Sequence, residues 1–141
     1  MTNIRTADPG DLPALSLLDR HISEAELETS VRLGRVYVAE EQGALAGWLR
    51  WNLFWDNTPF LNLLYVLDAH QGRGLGRALM ARWEARMTQA GYETLMTSTQ
   101  AGECAQHFYN RLGYVAVGGF LPPGEGYELI FCKRLRERPV L

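Results

Sequence analysis

Between Gln71 and Arg77 the chain carries glycine at positions 72, 74 and 76 and arginine at 73 and 77. Residues of these types at this spacing can bind an anion. A glycine removes the Cβ that would keep a ligand away from the backbone, and guanidinium groups match phosphate oxygens with paired N–H donors. The flanks decide whether backbone amides are free to help. Upstream, the apolar run Phe60-Leu61-Asn62-Leu63-Leu64-Tyr65-Val66-Leu67 reads as a buried strand. Downstream, Leu75, Leu79, Trp83, Met87 and Ala90 recur every three to four residues with charges between them, the period of an amphipathic helix. The glycines thus occupy a strand-to-helix turn, where the first helical amides lack intrahelical partners and the helix dipole adds partial positive charge. Two commoner phosphate motifs do not fit. A nucleotide P-loop needs Lys-Ser/Thr after its last glycine, where this chain has Arg77-Ala78, and the dinucleotide fingerprint spaces its glycines differently.

A second segment, Ala105 to Tyr114, places Ala105, Phe108, Tyr109 and Leu112 on one helical face and ends at Gly113, a helix stop. From spacing alone, the Tyr109 phenol belongs to the apolar stripe. Cys104 and Cys132 have no Cys-x-x-Cys partner and no histidine at ligand spacing, so both are expected to be buried as small apolar side chains. His21, His70 and His107 form no metal pattern either, and no metal is expected.

The elements that must position these groups can be read in order. Ile4–Thr6 forms a strand, Asp8–Asp11 a turn and Leu12–Leu18 a helix. Ser23 caps a second helix with Glu26 completing a capping box and Ile22 stapled to Leu27, and Gly34 ends it. Arg35–Glu40 and Ala44–Leu53 read as antiparallel strands, and Asp56-Asn57-Thr58-Pro59 turns into the strand at Phe60. After the long helix, Gly91 leads to a strand over Glu93–Gln100. Tyr114–Gly118 and Tyr127–Lys133 are the last strands, and the charged tail from Arg134 to Arg138 is expected to be solvated.

A chain of 141 residues suits a single domain, taken here as residues 1–141. With 47% apolar and 21% charged residues and a net charge of -2, it has the composition of a soluble globular protein without a global pull toward nucleic acid or membrane. No run approaches the roughly 18 apolar residues of a membrane span, and no signal-like segment opens the chain, so a cytoplasmic location is expected.

The two motifs together resemble the GNAT superfamily of acyl-CoA-dependent N-acyltransferases. Its hallmarks are Q/R-x-x-G-x-G/A at a strand-to-helix turn and, some thirty residues on, A-x-x-F/L-Y-x-x-x-G-F/Y. Gln71, Gly74 and Gly76 meet the first; Ala105, Phe108, Tyr109, Gly113 and Tyr114 meet the second. The resemblance implies an α/β (α+β) fold: a mixed, mostly antiparallel sheet of six to seven strands with a splayed central pair, flanked by about four helices. It implies acetyl-CoA as cosubstrate, its pyrophosphate held by Gln71, Gly72, Arg73, Gly74, Leu75, Gly76 and Arg77, and its pantetheine arm paired with Leu64, Tyr65 and Val66. Tyr109 becomes the catalytic candidate, a phenol that protonates the departing thiolate.

The resemblance leaves the general base open. Many relatives carry a Glu where this chain has Thr97, and neither Thr97 nor Asn62 is a base; a water relayed by either, or Asp56, are the alternatives. Relatives often have an Asn at the position of Gly102, a role that Gln100 or Gln106 could take. A lysine-like amine costs about 4.6 kcal/mol to deprotonate at pH 7 and an α-amine about 1 kcal/mol, so a weakly basic acceptor is favoured if no base is present. The acceptor is expected to be a small-molecule or peptide amine, walled by Arg20-His21, Trp51–Trp55 and Phe120 with its Pro-Gly loop. Trp48, Trp51 and Trp55 are more often core or dimer contacts than ligand walls, and a homodimer stays open. Two rival functions remain, a non-catalytic acyl-CoA-binding domain of the same fold and a nucleotide-binding module.

Overall fold

The computed structural model describes residues 2–136. These form seven strands and four α-helices: β1 Thr2–Thr6, α1 Leu12–Leu18, α2 Glu24–Arg32, β2 Val36–Glu41, β3 Ala44–Phe54, β4 Thr58–Val66, α3 Leu75–Gln89, β5 Thr94–Gln100, α4 Ala105–Arg111, β6 Val115–Phe120 and β7 Glu128–Arg134. Short 3-10 turns at Pro9–Asp11 and Asp68–His70 complete the order. The strands are hydrogen-bonded in the order β1-β2-β3-β4-β5-β7-β6. All the described pairings are antiparallel except that of β4 with β5, whose ladder consists of Phe60↔Met96 and Leu61↔Thr97. Such a short parallel ladder is what a splayed central pair requires. The mixed sheet flanked by helices is therefore the fold expected from the motifs. No helix among the described residues is long and apolar enough to cross a membrane.

The chain divides into two compact units, one running to Asn52 and including Leu63–Ala85, the other built from Leu53–Asn62 and the chain from Arg86 on. In the first, α1 and α2 bury Leu15, Leu27 and Val31 with Val36, Val38 and Trp48 of β2 and β3. Each such aliphatic side chain contributes about 1.5–3 kcal/mol by leaving water, which holds the helices on their strands. Ser23 Oγ accepts from Glu26 N (3.2 Å), and Ile22 joins the same apolar cluster as Leu27, as the cap and staple require. The reciprocal capping box lies instead at Asp8 and Asp11. Arg5 grips Asp11 with two 2.8 Å bonds, and this holds the Asp11 carboxyl below the usual carboxylate range.

In the second unit, Leu95, Tyr109, Tyr114 and Phe131 are buried. Tyr109 lies edge-on to Phe108 and Tyr114, at 5.3 and 5.9 Å between ring centroids, and 6.4 Å from Phe131.

Four local expectations are corrected. Pro59 lies inside β4, where it precedes the paired residues and so forfeits no donor to the β5 ladder. The turn before it is made by Trp55 and Asp56, both at positive φ (53° and 63°), with Asn57 N donating to Phe54 O at 3.2 Å. Ala90 falls beyond the end of α3 and is exposed, and Cys104, expected to be buried, is exposed beside α4. Finally, the tail is partly tied down: Leu135 N donates to Glu93 O and the Arg136 guanidinium to Gly91 O, each at 2.7 Å. Glu137 and Arg138 lie outside the described residues.

Candidate active site

The strand-to-helix turn has the geometry its glycines imply. Gly72 and Gly74 take φ of 80° and 79°, a left-handed conformation costly for any residue with a Cβ, and no atom lies within 4 Å of where a Cβ would stand. Ala78 N donates to Gly74 O at 3.0 Å, so Gly74 caps α3 and the amides of Leu75, Gly76 and Arg77 begin a helix of 15 residues. Gly76 is therefore helical rather than part of the turn. The exposed backbone, the dipole of α3 and the exposed Arg77 form a surface suited to a phosphate.

The other residues of the turn are engaged. Gln71 Nε2 donates to Val66 O (3.0 Å) and to Asp68 Oδ1 (3.2 Å), closing the loop between β4 and α3. Gln71 thus shapes the turn, and one lone pair of the Val66 carbonyl is taken. Arg73 reaches Glu41 at the end of β2, whose Oε1 lies 3.2 Å from the guanidinium and 2.7 Å from His70 Nδ1. The His70 hydrogen bond and the Arg73 charge hold the Glu41 carboxyl below the usual carboxylate range. This brace links the β2–β3 hairpin to the glycine turn. It joins residues some 30 positions apart and had no local sequence signal.

Leu64 and Val66 are half-buried and Tyr65 is exposed, its ring 5.2 Å from that of Trp48. The close approach of β3 to this end of β4 depends on Gly47. A Cβ there would stand 2.7 Å from Tyr65 O and 3.3 Å from Val66 Cα, closer than backbone contacts allow.

In the second unit, Tyr109 is the buried titratable group. Burial pushes its phenol up to about 12, opposed by a hydrogen bond with the Thr97 side chain. Thr97 is itself buried, and its Oγ1 donates to Leu61 O at 3.2 Å. At neutral pH the phenol therefore keeps its proton, as a proton donor must. Gly113, at φ 95°, ends α4, and Tyr114 N returns to Tyr109 O at 3.0 Å.

The remaining candidates are placed as follows. Asp56 is exposed as the second residue of the hairpin turn, where Asp tolerates positive φ better than most residues. Asn62 is exposed on β4. Gln106 Nε2 donates to Ala101 O at 2.8 Å and Glu103 O at 3.2 Å, which fixes it in the loop before α4, and Gly102 is exposed in that loop. Trp48 and Trp51 are buried, whereas Trp55 is 80% exposed and stacked on Phe54; Phe120 is half exposed.

One feature of the α1–α2 turn escaped sequence reasoning. Asp19, which ends α1, is buried and accepts from Arg50 Nε (2.6 Å), Trp48 Nε1 (3.1 Å) and the His21 backbone amide (3.1 Å). Arg20 and His21 thus project into solvent from a turn anchored to β3 by a buried ion pair.

Known proteins share this fold. The fold is similar to that of Ard1 from Thermoplasma volcanium, with a TM-score of 0.83 at 16% identity over 96% of this chain and 99% of the other. The ribosomal-protein-S18-alanine N-acetyltransferase of Escherichia coli superposes with a TM-score of 0.81 at 22% identity, over 99% and 97% of the two chains. For the yncA protein of Salmonella typhimurium, solved with its cofactor acetyl-CoA, the TM-score is 0.79 at 22% identity, over 100% and 98%. The family model of the acetyltransferase (GNAT) domain matches residues 32–116, a span that holds both the glycine turn and the tyrosine helix. With the fold, the turn and the tyrosine helix in agreement, the chain belongs to the GNAT acetyltransferases.

Proposed function

We propose that the protein transfers an acetyl group from acetyl-CoA to a primary amine of a small molecule or peptide, by direct attack with both substrates bound. The observation that carries this reading is the open, left-handed pair Gly72 and Gly74 at the N-terminus of α3, whose amides and Arg77 suit the pyrophosphate of the coenzyme. The backbone groups of Leu64, on the side of β4 turned away from β3, would pair with the pantetheine amides, since Tyr65 O lies against Gly47 of β3. The amine nitrogen attacks the thioester carbonyl, the C–S bond breaks, and the Tyr109 hydroxyl gives its proton to the departing thiolate sulfur. The amine's own proton leaves to water, which later restores the phenol.

Binding at the turn is testable without knowing the acceptor. Acetyl-CoA at a hundredfold excess over its Kd should stabilise the fold by about 2.7 kcal/mol, read as a rise in melting temperature. Gly74→Asp should abolish the shift, because it puts a carboxylate and a Cβ where a phosphate would sit. An unmoved melting curve for the parent protein at millimolar acetyl-CoA would sink the reading. Release of coenzyme A with a panel of amines then tests transfer; binding without release from any amine favours a non-catalytic acyl-CoA-binding domain.

The acceptor is read from Thr97 and Asn62. Thr97 and Asn62 stand on the central strands where a base could be, and neither can take a proton from an ammonium group at neutral pH. For a lysine-like amine the rate should therefore climb about tenfold per pH unit up to the amine's own pKa, and a less basic α-amine should be the better substrate near pH 7. The pH profile of turnover on a lysine-like and an α-amine substrate checks this. An inflection well below the amine's pKa that disappears in Asp56→Asn would reveal a base on the protein instead.

A further inference from the structure

We propose that Glu41 is a positioning residue for the coenzyme pyrophosphate: from the end of β2 it holds His70 and Arg73, on either side of Gly72, and so sets the glycine turn in its anion-binding form before acetyl-CoA arrives. The inference rests on the acetyl-CoA reading above and deepens it at a residue outside both motifs.

The same glycines that permit the turn leave it loose. Gly72 and Gly74 adopt φ of 80° and 79° without strain, but a free glycine visits many other conformations, and a ligand that must first order them binds more weakly. Neither has a side chain by which it could be held. The turn is fixed through its other residues instead. Gln71 is bonded to Val66 O and Asp68 Oδ1, close by in the chain. His70 Nδ1 and the Arg73 guanidinium are bonded to a different part of the fold, both to Glu41 Oε1, at 2.7 and 3.2 Å.

Glu41 is a firm anchor. Its backbone pairs with Thr2 of β1 and with Ala44 of β3, and the two-residue turn Gln42-Gly43, at φ of 51° and 79°, closes the hairpin directly after it. Its side chain is 13% exposed, so the carboxylate end of both bonds is shielded from water. An ionised carboxylate only accepts, so His70 Nδ1 carries the proton of the shorter bond. Electrostatics by itself argues against a carboxylate at this place. Beside a turn that receives a pyrophosphate its charge repels the ligand, and removing it would tighten binding. Preorganisation of the turn predicts the opposite sign.

Calorimetric titration of acetyl-CoA into the parent protein and Glu41→Ala reads that sign. The Kd should rise about 5- to 20-fold, the range of a partly shielded hydrogen bond to a charged group. In a background carrying His70→Ala and Arg73→Ala, the same substitution should cost nothing further, because both partners are gone. In turnover with whichever amine of the panel releases coenzyme A fastest, the loss should appear in the KM for acetyl-CoA and leave kcat unchanged. S-acetylpantetheine, a thioester without the pyrophosphate, should serve Glu41→Ala and the parent equally well, which a general loosening of the site would not allow. An unchanged or lower Kd in Glu41→Ala, a loss of equal size in the doubly substituted background, or an equal loss with S-acetylpantetheine would each overturn the inference. Failure of the parent protein to bind acetyl-CoA would instead overturn the acetyl-CoA reading, and the role of Glu41 with it.

Discussion

Tyr109→Phe should retain the fold and the affinity for acetyl-CoA while turnover falls about 10- to 1000-fold, the range that general-acid catalysis supplies. The expected separation follows from where the hydroxyl stands. The ring packs among Phe108, Tyr114 and Phe131, and phenylalanine keeps that packing. The hydroxyl alone is lost. A second readout comes from alkaline stability. The folded phenol titrates near 12 against an ordinary value near 10, so its neutral form is favoured by folding. That contribution, about 2–3 kcal/mol, is fully present below pH 10 and is lost as the pH rises through 12. Denaturant melts between pH 10 and 12 should show this loss in the parent protein, and Tyr109→Phe should be free of it. Unchanged turnover accompanied by lost stability would return Tyr109 to a purely structural role.

The second large effect is on stability. Asp19→Asn should destabilise the protein by about 3–5 kcal/mol, a large part of the roughly 5–15 kcal/mol that holds a domain together. The Asp19 side chain is fully buried and that of Arg50 is 7% exposed, so removing the carboxylate charge strands a guanidinium in a site that water cannot reach. Asparagine can still accept from Trp48 Nε1 on one side, but its NH2 then faces the His21 amide, so the loss combines the missing charge with one lost acceptor. Removing both charges with Asp19→Leu and Arg50→Met should recover part of the loss, since the desolvation cost of the pair disappears with it while Trp48 Nε1 and the His21 amide lose their acceptor. Urea melts of the single and the double variant measure this. A single variant within about 1 kcal/mol of the parent would show that the pair does not anchor the α1–α2 turn.

Local patterns carried much of the fold. The 3.6-residue period from Leu75 to Met87, the stops at Gly34, Gly91 and Gly113, and the cap at Ser23 each act within one turn of helix, so neighbours in sequence suffice to specify them. The same holds for Gly72 and Gly74, whose left-handed backbone is a property of the residue itself. The hairpin at Trp55 and Asp56 was misplaced because Asn57, Thr58 and Pro59 are stronger turn formers on their own. Pairing of β4 with its neighbours overrode that preference and moved the turn two residues toward the N-terminus.

The sequence by itself determined the glycine turn, the tyrosine helix and the order of the elements, since each follows from residues a few positions apart. Only the tertiary structure decided what surrounds them. Glu41 with His70 and Arg73, Asp19 with Arg50, and Leu61 with Thr97 are separated by roughly 30 residues or more, and each partner looks like an ordinary strand or loop residue in isolation. Their meaning arises when folding removes water and leaves a charge or a hydroxyl with only a few neighbours to satisfy it, and those neighbours are set by strand register and by the docking of helix ends, which no local period encodes.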